Sequence, residues 1–246
     1  MIGVRGLPEV QDGDDLAQLI HSAIAAQGLA IESGDVLVVT QKVVSKAEGR
    51  LQALDDMVPS AFAQEYAAAW KRDPRLVEAV LREAHRIVRM DRGLIITETR
   101  HGFVCANAGI DRSNVPGNDV VCLLPIDPDA SAERIRAGIA ERTGAEIAVI
   151  VSDTFGRAWR EGTTDVAIGI AGMEPLLSHV GVEDPHGYLL QVSISAVADE
   201  LCGSAELVMG KISGVPVALI RGFGYTPAAS ATARTLVRPP DTDMFR

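Results

Sequence analysis

The chain has 246 residues, 47% of them hydrophobic and 23% charged, and a formal net charge of −10. That length suits one large domain or two small ones sharing a sheet, and the composition is that of a folded globular protein. An acidic chain without a basic run excludes general nucleic-acid binding, and its short apolar runs exclude a membrane-spanning helix. Anionic small molecules stay open, because a local basic pocket overrules the global field.

In chain order, Asp12-Gly-Asp-Asp15 caps a helix whose Leu16, Leu19, Ile20, Ala23 and Ile24 share one face. Ser33-Gly-Asp35 turns into Val36–Val39, a strand apolar enough to be buried on both faces, and a loop carries Lys42 and Lys46 beyond it. Residues 60–70 and 74–89 read as two helices, with Pro74 in the first turn of the second and a stripe that includes Ile87 and Val88. Strands are expected near 94–98 and 103–106. Asp127-Pro-Asp129 opens a helix to about Arg142, which feeds a buried strand over Ile147–Val151. Further strand candidates are 166–170 and 189–193, followed by a helix over 194–209 that ends at Gly210 and a strand over 215–220. This alternation predicts an α/β fold with a mixed, α+β-like sheet. Residues 1–221 form the expected catalytic domain, and the small, polar, proline-containing 222–246 a loosely held tail.

The chemistry concentrates in two acidic loops. Asp153 stands past the 147–151 strand, followed by Thr154 and Arg157, and Asp111 lies in Asn107-Ala-Gly-Ile-Asp-Arg-Ser-Asn114 after another short strand. Two carboxylates beside hydroxyl and amide groups suit a hard divalent cation, where the plainer alternative is that each Asp only closes a turn. Lys42 and Lys46 could hold phosphates as point charges, and Arg157 and Arg160 could share an anion with a metal; surface solvation and simple charge neutralisation are the competing readings. Standard phosphate-binding glycine loops are absent. Cys105, Cys122 and Cys202 read as buried free thiols of a reducing cytoplasm, in keeping with an N-terminus that lacks a secretory pattern. His101, Asp184 and His186 have no partner at metal or nucleophile spacing and are left as structural.

Six segments occur in one order: Leu7-Pro-Glu-Val10, residues 38–49 (VVTQKVVSKAEG), 107–114 (NAGIDRSN), 123–132 (LLPIDPDASA), 152–157 (SDTFGR) and 197–200 (VADE). Together they resemble the coenzyme F420-0:L-glutamate ligase family over nearly the whole chain up to Arg221. The resemblance implies a GTP-dependent acid–amino acid ligase that adds L-glutamate to the deazaflavin coenzyme F420-0 through an acyl phosphate, with a further gamma-linked glutamate in some members. It implies two divalent cations (Mn2+ or Mg2+), K+, and a family-specific fold that forms an intertwined homodimer and is neither Rossmann nor ATP-grasp. By position, Asp111 and Asp153 match ligands of the first metal, Thr154 a ligand of the second, and Met209 a main-chain oxygen for the second. Leu7, Pro8, Glu9, Val10, Gln41, Lys42, Lys46, Asn114 and the run Leu207, Val208, Met209, Gly210, Lys211, Ile212, Ser213 and Gly214 match nucleotide contacts. Relatives carry small hydroxyl residues where this chain has Gln41 and Lys42. The catalytic set expected from this pattern is Lys46, Asp153 and Arg157, with Asp199 and Glu200 as candidates to take the amine proton. The alternatives are a metal-dependent nucleotide or phosphate-ester hydrolase, which would use the same residues, and a non-catalytic deazaflavin- or nucleotide-binding module.

Overall fold

A computed structural model describes residues 1–113, 117 and 119–244. In chain order the elements are β1 (Ile2–Val4), α1 (Leu16–Ala26), β2 (Val36–Thr40), α2 (Gln41–Ala47), β3 (Leu51–Ala53), α3 (Ala61–Trp70), α4 (Pro74–Glu83), β4 (Ala84–Asp91), β5 (Leu94–Thr99), β6 (Val104–Ala106), β7 (Val120–Cys122), α5 (Pro128–Thr143), β8 (Ala148–Arg157), β9 (Arg160–Met173), β10 (Leu177–Ser178), β11 (Ile194–Ser195), α6 (Val197–Met209), β12 (Val217–Ile220) and β13 (Pro227–Ala228).

The main sheet has the order β1-β12-β2-β8-β9-β13. Its central pair, β2 and β8, is parallel, and the neighbours on either side are antiparallel. Val36–Val39 and Ala148–Val151 are fully buried, as a strand covered on both faces requires. The expected mixed sheet is therefore present. α5 packs on β8 and β9, α1 packs on α5, and α6 lies against β1, β12 and β9. Asp15, Asp73 and Asp127 cap their helices by accepting backbone N–H groups, and Pro74 and Pro128 occupy first turns. The segment after Gly222 adds β13 to the edge of β9 and places Ala233 in the core.

Four local readings change. The helix expected over 74–89 ends at Glu83, and Ala84–Asp91 pairs with β5 as a strand. Ile87 and Val88 fit either period over so short a run, and the edge of β5 decides between them. Lys42 and Lys46 lie on α2, not in a loop. β8 continues past Asp153 to Arg157, because β9 runs back beside it. Residues 189–193 form no strand; the pairing in that region is β10 with β11, and α6 begins at Val197. Among the described residues no helix is long and apolar enough to cross a membrane.

Candidate active site

Parallel pairing of β2 with β8 sets Thr40 opposite Ser152, so the carboxyl ends of both strands open on one side of the sheet. Such a crevice is where α/β sheets bind ligands. A cavity of about 690 Å3 opens there, walled by Leu7–Val10, by Thr40 and the first turn of α2, by Ser152–Thr154, by Asp165, and by Gly210–Ile212 with Gly214. Five separate stretches of sequence thus meet in one space. Asp153 is contributed by β8, Lys42 and Lys46 by one face of α2 at i, i+4 spacing, and Lys211 by the turn after α6.

The charges are closely interlocked. Lys42 Nζ lies 2.8 Å from Asp111 Oδ2 and donates to Ser113 Oγ at 2.6 Å. Lys46, almost wholly buried, reaches Glu9 Oε1 at 2.5 Å. Thr154 Oγ1 donates to Asp165 Oδ1 at 2.7 Å, and Lys211 Nζ contacts both Thr154 Oγ1 and Asp165. Burial pushes the Asp153 carboxyl up to about 7; the Thr154 N–H opposes this, repulsion from Asp111 and Asp165 adds to it, and Lys42 opposes it. Burial also works to raise Asp111, but the hydrogen bond and charge of Lys42 and the Ser113 N–H hold it below the usual carboxylate range.

Three acids, Asp111, Asp153 and Asp165, therefore feel one another around the mouth of the crevice, and proton uptake by Asp153 relieves the crowding. A divalent cation would relieve it better, and the all-oxygen set of carboxylates plus the Thr154 hydroxyl is hard-cation chemistry. Among the described residues no three His, Cys, Asp or Glu side chains form a ready-made cage. A cation here would complete its shell with phosphate oxygens and water, the usual habit of Mg2+. Gln41 is buried with Nε2 donating to Ser45 Oγ and Leu123 O, while its buried Oε1 has no partner among the described residues.

Of the residues expected from the sequence, Leu7, Pro8, Glu9, Val10, Gln41, Lys42, Lys46, Asp153, Thr154, Gly210, Lys211, Ile212 and Gly214 line the cavity. Asp111 joins through Lys42. Leu207, Val208, Met209 and Ser213 are not on the wall, and the Met209 side chain belongs to the core. Arg157 sits near the tip of the β8–β9 hairpin, where it donates to the Glu161 carbonyl at 2.5 Å, outside the cavity wall. Asn114 lies outside the described residues. Asp199 accepts the Ala167 N–H at 2.9 Å and faces a second pocket. Asp165 escaped the sequence reading. Its signal was an acid at the entrance to an apolar strand run, Asp165-Val-Ala-Ile, and only its pairing opposite Thr154 turns that into a site.

The profile of the family described as F420-0:gamma-glutamyl ligase matches residues 4–222. The chain is 46% identical over 248 residues to the coenzyme F420:L-glutamate ligase of Methanothermobacter thermautotrophicus, covering 100% of this chain and 98% of the relative. It is 45% identical over 242 residues to the enzyme of that name from Methanopyrus kandleri (97% and 94% covered), and 41% identical over 247 residues to that of Methanocaldococcus jannaschii (100% and 96%). Identity at this level, carried across both chains, leaves one conclusion: the chain belongs to the F420-0:gamma-glutamyl ligase family.

Proposed function

We infer that this protein is a ligase forming C–N bonds, which joins L-glutamate to the carboxylate of coenzyme F420-0 in F420 biosynthesis. GTP is the phosphoryl donor, and Mn2+ or Mg2+ occupies the acidic end of the cavity. The observation that carries this reading is Asp153, crowded by Asp111 and Asp165, on the wall of a cavity that Lys42, Lys46 and Lys211 also line. Acids that gather cations, interleaved with ammonium groups that gather phosphate, fit phosphoryl transfer better than a simple binding role.

A carboxylate resists attack by an amine, because its charge repels nucleophiles and oxide is a poor leaving group. An oxygen of the F420-0 carboxylate attacks the γ-phosphorus, the bond to GDP breaks, and an acyl phosphate results. The glutamate amine then attacks the acyl carbon, phosphate leaves, and the amine gives up a proton. Bound divalent cations supply shielding of the phosphate oxygens. Asp111, Asp153 and the Thr154 hydroxyl are the groups to hold them, and Asp165 positions Thr154 by accepting its hydroxyl hydrogen bond. Lys46, held by Glu9, and Lys42 face the charge that builds on the transferred phosphoryl group.

The protein incubated with GTP, MnCl2, L-glutamate and F420-0 is expected to yield F420-0 extended by one glutamate, read by mass spectrometry. K+ is expected to raise the rate. Phosphate release that ignores both acceptor and glutamate would show a hydrolase instead. The working form is taken as a homodimer in a reducing cytoplasm, supported by three buried free thiols and an apolar surface treated below.

A further inference from the structure

A second pocket, of about 390 Å3, lined by Phe155 two residues beyond Asp153, is left unused by the reaction as described. Its walls are Phe103 and Val104 from the start of β6, Phe155 and Trp159 from the β8–β9 hairpin, and Val237 and Arg238 from the C-terminal segment. Phe103 and Phe155 meet edge to face with ring centroids 6.3 Å apart. We propose that this pocket receives the flat fused-ring system of the acid acceptor, the deazaflavin of F420-0, and so presents the acceptor's tail to Asp153. The proposal rests on the ligase reading and names the acceptor subsite of that reaction.

Three observations carry it. First, β8 contributes to both sites, with Asp153 on the wall of the first cavity and Phe155 on the wall of this pocket. Alternate strand residues share a face, so Phe155 lies on the Asp153 side, and Val166, paired opposite Asp153, joins them there. Phe155 and Asp153 are about 7 Å apart along the strand, near enough for a ring at one to send a substituent to the other. Second, the volume is near the lower end of ligand pockets, about 300–1,000 Å3, which suits a ring system but not a whole coenzyme. The tail must leave the pocket, and Asp153 marks one exit. Third, the apolar walls carry a complementary polar pair. Asp199 spends Oδ1 on the Ala167 N–H, and among the described residues Oδ2 accepts nothing. An imide edge offers an N–H to such a carboxylate and carbonyls to the guanidinium of Arg238.

Nucleotide and acceptor would thus occupy separate pockets that both draw on β8, which brings the acceptor acid and the γ-phosphoryl group together near Asp153.

The test uses the full chain and measures F420-0 binding by fluorescence anisotropy without GTP, GDP binding by calorimetry, and oligomeric state by light scattering. Val104→Trp fills the pocket and Phe155→Ala removes one wall; Phe155→Leu covers the case in which the alanine variant fails to fold, as circular dichroism would show. Loss of at least tenfold in affinity for F420-0, and for a 5-deazaflavin lacking the acidic tail, with GDP binding kept, is expected. Folded variants that bind F420-0 as the unmodified chain does overturn the proposal. So does weakened binding that accompanies a change of oligomeric state, which would make the pocket a contact between subunits. An unmodified protein that binds F420-0 at this pocket yet forms no amide would defeat the ligase reading and leave the pocket standing. Ligation that proceeds with unchanged acceptor KM in all variants would do the reverse.

Discussion

At Asp153, burial and the crowding of acids bear on the same carboxyl that the proposed cation would bind. That carboxyl is raised from an ordinary 3.8 to about 7, so between those values the folded chain holds a proton that the unfolded chain has lost. The contribution of this group to ion-free stability therefore falls as pH rises from about 4 to about 7, and the full cost remains above that window. A divalent cation requires the ionised form. The rise in Tm given by Mn2+ is accordingly expected to be larger at pH 8 than at pH 6, in thermal-shift scans at fixed ionic strength; an equal rise at both would detach the cation from Asp153. Asp153→Asn is expected to keep the fold and lose at least about a thousandfold in turnover, since one neutral oxygen replaces a charged ligand. The lysines divide differently. Both line the cavity, but Lys46 is buried and pairs with Glu9, whereas Lys42 sits on Asp111, a proposed metal ligand. Lys46→Met should lower kcat by about tenfold or more. Lys42→Met should chiefly change the Mn2+ concentration for half-maximal rate, and steady-state kinetics across a Mn2+ series will show whether the two variants separate in this way.

At the scale of elements, the site depends on how closely β9 lies against α5. A Cβ at Gly169 would come 2.3 Å from the Pro128 carbonyl oxygen, and backbone at a helix start cannot move aside as a flexible side chain can. Asp129 in the same first turn accepts the N–H of Ile170 at 2.8 Å and of Ala233 at 3.0 Å, so helix, strand and C-terminal segment meet at one residue. Gly169→Ala is expected to cost about 1–3 kcal/mol in denaturant unfolding. It should also reduce ligase activity in the folded fraction, because β9 carries Asp165 into the site. Stability equal to that of the unmodified chain would mean that β9 and α5 separate more easily than their packing implies. The segments misread from the sequence are informative at this scale too. Ala84–Asp91 holds alternating and three-to-four-residue spacings at once, and a strand edge at β5 settles what local pattern left degenerate.

Across the whole molecule, exposed apolar side chains gather on one stretch: Leu177, Val180, Val182, Leu189, Val192 and Ile194 all lie around the β10–β11 hairpin. Single exposed hydrophobics are ordinary, but six of them within residues 177–194 are what a subunit contact would cover. A homodimer is expected by light scattering at assay concentration, and Val192→Asp with Ile194→Asp should shift it towards monomer without unfolding the main sheet. A monomeric, fully active protein would remove the dimer from the account.

The strand–carboxylate junction at Ile147–Asp153, the helix caps at Asp15 and Asp127, and the alternation that makes a mixed α/β sheet are local: each is set by residues within a few positions of one another, so the sequence by itself determined them. The order of six short motifs was enough to mark the family. Tertiary structure alone decided which acids share a field, because Asp165 becomes a site residue only through its cross-strand place opposite Thr154. It also took Arg157 to the tip of a hairpin and Met209 into the core, although both lie within a few residues of the cavity wall in sequence. Side-chain direction is fixed by the partner strand or helix against which a residue packs, and that partner is distant in the chain; proximity along the sequence therefore places the backbone near the site and leaves the facing of each side chain to the fold.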